Sequence, residues 1–324
     1  MKGCVMASTE IAKVEKFGHP AWEIVSPTGA RAVISERGAT LLSWQPEPGV
    51  ELLAAHESQE ELESGAGARA MILAPWAGPI AGGRYAFDGR EISVDDAVRA
   101  YSLAYLQDFH VVSAGTTLSM SAVIGPCESY PWQCNVSVHY SLDSGADGAE
   151  HLSMTLDAKN LSKQAAPITV GWHPYLCLPS MASVSKLGIS VPARTKILTD
   201  RRGVPLPGES AYGGVNTPMV IDYLGGTKLD EYYRGLVPDN YGVVATRVVC
   251  LPTNSSVELT QEPGEAAVVH LDTGDKLARG TRQAIALAPM SAVPDSFNRP
   301  DAVGSVRVEP GESRSMTATL TYIK

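Results

Sequence analysis

The stretch Asn135-Val-Ser-Val-His-Tyr-Ser-Leu142 alternates polar and apolar residues at every position, and His151-Leu-Ser-Met-Thr-Leu156 repeats the alternation. Successive side chains of a β-strand point to opposite faces, so a period of two gives each segment one buried and one solvated face. The same pattern returns over residues 316–322, and turn dipeptides such as Asp88-Gly89 and Pro263-Gly264 separate runs of this kind. The sequence therefore predicts an all-β protein built from antiparallel sheets.

Helical patterning is confined to residues 58–63, Ser58-Gln-Glu-Glu-Leu-Glu63. Ser58 is a suitable N-cap, and Glu61 stands three residues later, where a capping box places its acidic partner. Gly65 and Gly67 follow and should end the helix, because glycine is the residue that most easily leaves a helix.

Length and charge limit the classes of protein that fit. A chain of 324 residues with 44% hydrophobic content can bury a large core, and β-sandwiches of this size can be single domains. With no internal repeat or linker, we expect one domain over residues 1–324, with about residues 1–20 as a loosely attached extension. The net charge is −9 and no Lys/Arg run occurs, so a nucleic-acid partner is not expected. No segment has the ~20 apolar residues of a membrane span, so we expect a cytoplasmic protein without membrane contact.

The five cysteines do not form a metal or redox motif. They are Cys4, Cys127, Cys134, Cys177 and Cys250, with no CxxC spacing and no histidine at a zinc-finger interval. We interpret them as reduced, buried thiols. Neither a metal nor a cofactor is predicted from the remaining histidines and carboxylates.

Several separated segments occur in an order typical of one family. They are residues 73–89 with the Pro75-Trp76 pair, Ser129-Tyr-Pro-Trp132, Asn160 with Pro167-Ile-Thr-Val-Gly-Trp-His-Pro-Tyr175, Lys228-Leu-Asp-Glu-Tyr-Tyr233, residues 285–298, and Glu309-Pro-Gly-Glu312. Together they resemble the aldose 1-epimerase (galactose mutarotase) family over roughly residues 25 to 324. The resemblance implies a large antiparallel β-sandwich of the galactose mutarotase-like type, whose concave face holds a sugar.

The resemblance also implies roles for two residues. His173 matches the histidine that protonates the ring oxygen of the sugar, and Asp230 matches an aspartate that hydrogen-bonds sugar hydroxyls. The general-base glutamate of the family falls at Ala288. Its substrate-binding arginine falls at Gly78-Pro79, and a second histidine with a nearby basic residue falls in Tyr101-Ser-Leu-Ala-Tyr105. Four of the six polar groups that the resemblance implies are therefore replaced.

These replacements predict a remodelled pocket. Mutarotation needs one group to take the proton of the anomeric hydroxyl and another to protonate the ring oxygen, and a methyl group at position 288 can do neither. We predict His173, Tyr101 and Asp230 as catalytic groups. An aromatic lining is predicted from Trp76, Tyr105, Trp172, Tyr175 and His110, with a small-molecule substrate less polar than a free sugar.

Three functions remain open on the sequence alone. The first is acid/base isomerisation, cyclisation or dehydration of a non-standard substrate by an aldose-epimerase-like enzyme. The second is ordinary mutarotation of an atypical sugar with an unrecognised base, and the third is non-catalytic binding of a carbohydrate or metabolite. The oligomeric state is left open.

Overall fold

The computed structural model describes residues 8–95, 102–145 and 148–324. Within these ranges the strands, in chain order, are β1 (Glu10–Lys16), β2 (His19–Val25), β3 (Arg31–Ser35), β4 (Leu41–Gln45), β5 (Met71–Leu73), β6 (Arg84–Phe87), β7 (Arg90–Ser93), β8 (His110–Ala114), β9 (Thr117–Ile124), β10 (Cys134–Ser144), β11 (Glu150–Asn160), β12 (Ala166–Pro167), β13 (Gly171–His173), β14 (Tyr175–Leu176), β15 (Leu187–Val191), β16 (Ala193–Ile197), β17 (Tyr212–Gly214), β18 (Met219–Ile221), β19 (Asp230–Leu236), β20 (Ala245–Cys250), β21 (Ser256–Gln261), β22 (Val268–Asp272), β23 (Ile285–Met290), β24 (Arg307–Val308) and β25 (Ser313–Ile323).

The same three ranges contain two α-helices, α1 (Gln59–Ser64) and α2 (Val303–Val306), and neither is long and apolar enough to cross a membrane. Short 3₁₀ segments cover Ala66–Ala68, Ala81–Gly83, Ala104–Leu106, Val184–Lys186, Gly208–Ala211, Ser296–Asn298 and Pro300–Ala302.

The strands form two large sheets and three small ones. The first large sheet has nine strands in the order β18-β15-β20-β21-β25-β11-β10-β9-β8. The second has eight, in the order β17-β16-β19-β22-β23-β13-β5 with β14 also paired to β23. Strands β1 to β4 make a four-stranded sheet, and β12-β24 and β6-β7 are two-stranded. Every described pairing of named strands is antiparallel, which confirms the predicted fold class.

The segments that decided the fold class lie side by side in the nine-stranded sheet. Strand β10 pairs with β11 over eleven residues, and β11 pairs with β25. Their apolar positions, such as Val138 and Leu152, join one buried cluster with Val269 and Leu287 of the eight-stranded sheet. Their polar positions form ladders on the other face, where His139 bonds Ser119. The alternation of the sequence is thus the alternation between core and polar face.

The predicted helix is confirmed, and a second helix was not predicted. Ser58 Oγ accepts a hydrogen bond from the backbone N–H of Glu61 at 3.1 Å, and Gly65 ends α1 with a φ of 66°, in the left-handed region that favours glycine. The Glu61 carboxylate accepts from the N–H of Glu57 at 2.8 Å, one residue before the position of a standard capping box. Helix α2 lacks a side-chain cap, so it carries no comparable sequence signal.

Two expectations differ from the structure. Residues 10–16, assigned to a loosely attached extension, form strand β1 and pair with β2 over seven residues. Cys127, expected to be buried, is exposed and Cys177 is only half-buried, whereas Cys134 and Cys250 are buried. Cys4 lies outside the described residues.

Candidate active site

A line of four side chains crosses one face of the eight-stranded sheet. Tyr232 on β19 pairs with His270 on β22, and His270 pairs with Ala288 on β23. The register of β13 and β14 against β23 places His173 level with Ala288 on its other side. Directly paired residues of antiparallel strands share a face, so all four side chains point the same way.

The two histidine rings meet above the methyl group of Ala288. The strands that carry them are two strand spacings apart, which is about 10 Å. The rings nevertheless approach until Nε2 of His173 lies 3.3 Å from Nδ1 of His270. Ala288 is fully buried between the strands. Position 288 lies on the strand between those of the two histidines, and its side chain is only a methyl group.

Asp230 anchors the second histidine. Its Oδ1 lies 3.0 Å from Nε2 of His270, and its Oδ2 accepts from Nζ of Lys276 at 2.7 Å. The hydrogen bond from His270 is the main reason that the pKa of Asp230 lies well below its usual range. Tyr232 stacks on the same imidazole, with ring centroids 4.0 Å apart and planes 12° from parallel. His270 is thereby held in position by a charge and by an aromatic face.

The partners of the two rings determine where their protons lie. A carboxylate only accepts, so Nε2 of His270 donates to Asp230. Nδ1 of His173 lies 3.2 Å from the carbonyl oxygen of Ala68, which also only accepts, so this nitrogen donates as well. Nε2 of His173 and Nδ1 of His270, which face each other at 3.3 Å, would then both be unprotonated acceptors unless one of them carries an additional proton. The geometry therefore corresponds to one additional proton shared by the pair.

The two rings have different electrostatic surroundings. Burial, and then the neighbouring charge of His270, lower the pKa of His173 to about 3. His173 is accordingly neutral near pH 7, whereas His270 has a carboxylate within 3.0 Å to balance a positive charge.

These side chains face a cavity of about 210 Å³. Its polar lining consists of His173, Tyr175, Tyr232, His270, Asp272 and Lys276. The remaining lining is apolar or glycine: Gly67, Ala68, Leu73, Gly78, Pro79, Leu277 and Met290. A small cavity with several convergent polar groups and a perturbed histidine is the usual character of a ligand site.

A second polar pair supports the floor of the cavity. Tyr175 donates its hydroxyl proton to Oδ2 of Asp272 at 2.6 Å, and Oδ1 of Asp272 accepts from the N–H of Gly274. The guanidinium of Arg69 lies 5.8 Å from the centre of the Tyr175 ring. Burial and the adjacent Asp272 carboxylate raise the pKa of Tyr175, so its hydroxyl stays protonated as a donor.

The loop of residues 273–284 forms one wall of the cavity, and Arg279 in the middle of this loop binds helix α1. It carries Lys276 and Leu277, which line the cavity. Arg279 donates from Nε and a terminal nitrogen to the two carboxylate oxygens of Glu61 on α1, each at 2.7 Å, and also binds Glu57. The hydrogen bond from Arg279 lowers the pKa of Glu61 to about 2. The short helix recognised in the sequence thus anchors a wall of the site.

The structure brings together only part of the predicted site. His173 and Tyr175 line the cavity, and Asp230 holds His270. Tyr101 lies outside the described residues. Trp76, Tyr105 and Trp172 are buried in the main hydrophobic cluster and do not line the cavity; Trp172 packs on Tyr140 there. His110 is exposed on β8, at the edge of the nine-stranded sheet.

Tyr175 thus faces the cavity together with His173, Tyr232 and His270, whereas the two tryptophans of the prediction do not. The alternation of a strand predicts that an aromatic residue is buried. It does not predict whether that residue packs in the core or lines a cavity. The sequence analysis also missed His270, Asp272 and Lys276. Their local sequence resembles an ordinary buried strand and turn, and only the pairing of β22 with β23 brings His270 beside position 288.

Two alternative chemistries find little support in the described residues. No group of three or more His, Cys, Asp or Glu side chains is arranged there to hold a metal ion. Burial raises the pKa of Cys177 to about 11, which is unfavourable for a nucleophilic thiolate.

The paired antiparallel sheets and the polar cavity on one of them define a galactose mutarotase-like protein. The aldose 1-epimerase family model matches residues 20–321, and the chain belongs to this family. A protein of Escherichia coli K12 described as uncharacterized protein YihR is 26% identical over 234 residues, which are 70% of this chain and 71% of that protein.

Solved structures share the fold. A galactose mutarotase-like protein from Clostridium acetobutylicum superposes with a TM-score of 0.78 and 14% identity, covering 98% of this chain and 99% of that one. The galactose 1-epimerase from Lactobacillus acidophilus NCFM gives a TM-score of 0.76 and 14% identity, with 98% of each chain covered.

Proposed function

We propose that this protein interconverts the anomers of a cyclic aldose, with His173 and His270 as the two proton-transfer groups. The chain Asp230–His270–His173 carries the proposal, because it supplies a charged acid and a neutral base within one hydrogen bond of each other. The polar groups of the cavity, among them Asp272 and Lys276, supply acceptors and donors for the hydroxyl groups of a sugar.

The proposed reaction conserves protons. Nε2 of His173 takes the proton of the anomeric hydroxyl while the bond between the anomeric carbon and the ring oxygen breaks. The ring oxygen takes the proton from Nδ1 of His270, which gives the open-chain aldehyde. After rotation about the bond next to the aldehyde carbon, the reverse transfers close the other anomer. The pair holds one proton before and after each step.

The proximity of the rings makes this exchange easier. The charge of His270 is one cause of the low pKa of His173. When His270 passes its proton to the ring oxygen, that repulsion disappears and His173 becomes a stronger base at the moment it must accept a proton. Asp230 remains ionised throughout and keeps Nε2 of His270 protonated.

The test is exchange NMR on equilibrated sugars, which measures anomer interconversion directly. Glucose, galactose, xylose and maltose are compared with wild-type protein, His173→Gln, His270→Gln and a control, His139→Gln, whose side chain lies on the polar face of the other sheet. Loss of either positioned group should reduce the protein-dependent rate by ~10²- to 10⁴-fold, and the control should match the wild type. Acceleration that survives both pocket substitutions, or no acceleration of any of these sugars, would contradict the proposal.

A further inference from the structure

A second cavity, of about 170 Å³, lies on the same face of the eight-stranded sheet. Its lining includes Arg234 and Val268. Arg234 follows Tyr232 by two residues on β19, and Val268 precedes His270 by two residues on β22. Residues two apart on a strand share a face and are separated by about 7 Å. The second cavity therefore begins one step along the strands from the histidine pair.

Tyr212 lines this cavity, and the guanidinium groups of two arginines lie close to its ring. The guanidinium of Arg234 lies 5.0 Å from the centre of its ring, and that of Arg299 lies 5.3 Å from it. The Tyr212 hydroxyl donates to the Asp301 carboxylate, and Arg299 donates to both that hydroxyl and that carboxylate. Arg299 and Asp301 thus balance each other's charge.

The positive charge of Arg234 is not balanced in this way. Its side chain is exposed, and within residues 8–95, 102–145 and 148–324 its guanidinium has the Tyr212 ring as partner but no carboxylate. The lining of the cavity thereby includes a fork of N–H donors from Arg234 and the accepting carboxylate of Asp301. The walls between these groups are small and largely apolar, with Ala267, Val268, Ala292 and Val293 among them.

We propose that this cavity is a second subsite, which binds a further sugar unit of the substrate whose anomeric carbon lies at His173 and His270. A guanidinium and a carboxylate in one cavity match neighbouring hydroxyl groups, which both accept and donate, and small apolar walls match the C–H face of a sugar ring. The inference rests on the proposed function. It identifies the substrate class as reducing disaccharides, or aldoses that carry a comparable sugar substituent, rather than free monosaccharides.

The test combines binding and turnover. Calorimetric titration and exchange NMR are carried out with maltose, cellobiose, lactose and melibiose, and with glucose and galactose as single-unit references. At least one disaccharide should bind about tenfold or more tightly than either reference. Arg234→Ala should raise the Kd and KM for that disaccharide about tenfold, leave kcat within twofold, and leave both references unchanged.

Two further variants make the outcome specific. Arg234→Lys keeps the charge without the planar fork and should restore only part of the affinity. Arg31→Ala removes an arginine from β3, in the separate four-stranded sheet, and should have no effect. If no disaccharide binds more tightly than the monosaccharides, or if Arg234→Ala weakens both classes equally, the second subsite is refuted.

The two proposals can fail independently. Disaccharide binding that depends on Arg234 without any acceleration of anomer exchange would support the subsite and contradict the proposed reaction. Acceleration that depends on His173 and His270 but is equal for glucose and maltose, and insensitive to Arg234→Ala, would support the reaction and refute the subsite.

Discussion

Asp230→Asn removes the charge that keeps a proton on the histidine pair while preserving the shape of the side chain. The asparagine carbonyl can still accept from Nε2 of His270, but its NH₂ group would then face Nζ of Lys276, where two donors oppose each other. The pair should therefore hold its shared proton less strongly, and the protein should lose the acid needed to open the sugar ring.

The structure gives the size of this effect. Opposite unit charges 3.0 Å apart attract by about 6 kcal/mol at an effective dielectric constant of about 20. The side chain of Asp230 is 39% exposed, so solvent screens much of this attraction, and about 2 to 3 kcal/mol remains. At 1.36 kcal/mol for each factor of ten in rate, this loss corresponds to about a hundredfold. The rate of anomer exchange near pH 7 should fall by about the same factor.

The pH dependence separates this explanation from a general loss of structure. The deficit of Asp230→Asn relative to wild type should shrink as the pH is lowered from 8 to 5, because a higher proton concentration restores the missing proton to the pair. Glu231→Gln is the matched control: it makes the same charge change one residue along β19, where Glu231 binds Lys196 instead of the pocket. A deficit that is independent of pH, or equal for the two variants, would refute the role assigned to Asp230.

Three other substitutions test separate parts of the site. Tyr175→Phe removes the hydroxyl that donates to Asp272 at the floor of the cavity. Exchange NMR should show KM raised about tenfold with little change in kcat. An equal loss in kcat would place Tyr175 among the reacting groups. Arg279→Met removes the bidentate contact to Glu61. The free energy of unfolding, measured by urea titration, should fall by about 1 to 2 kcal/mol, and proteolysis within residues 273–284 should become faster. An unchanged rate of cleavage would show that other contacts hold this loop in place. Burial lowers the pKa of His56 to about 4, so the unfolded chain binds the proton more strongly and stability falls as the pH drops below about 6.5. His56→Gln should therefore reduce the loss of unfolding free energy between pH 7 and pH 4.5 by about 2 kcal/mol in urea titrations, whereas identical pH dependence in both proteins would contradict this origin.

The fold could be predicted because its signals are local. Strands β10, β11 and β25 are each eleven residues long, and the alternating sequence over most of β10 and β11 and over residues 316–322 of β25 predicts their buried and polar faces. Helix α1 was recognisable because its cap, its acidic partner and its terminal glycine all lie within eight residues. Such features require no knowledge of what each element packs against.

The site was harder to predict from the sequence because its geometry depends on contacts between segments that are distant along the chain. His173 could be found from its own surroundings, Gly-Trp-His-Pro-Tyr, together with the family resemblance. Trp76 and Trp172 were misplaced because a buried aromatic side chain can face either the core or a cavity, and both pack in the core. His270 gave no signal of its own, since Val-Val-His-Leu-Asp is a common pattern for a buried strand.

The register of β22 against β23 connects Ala288, where the family resemblance implies a glutamate, to a histidine that the sequence did not predict. Along the chain, His270 lies eighteen residues before Ala288 and has no visible relation to it. Across the sheet the two residues are directly paired, and the ring of His270 lies within 3.3 Å of the ring of His173. In the proposed mechanism, the histidine pair supplies both proton-transfer groups beside the position where the family resemblance implies a glutamate.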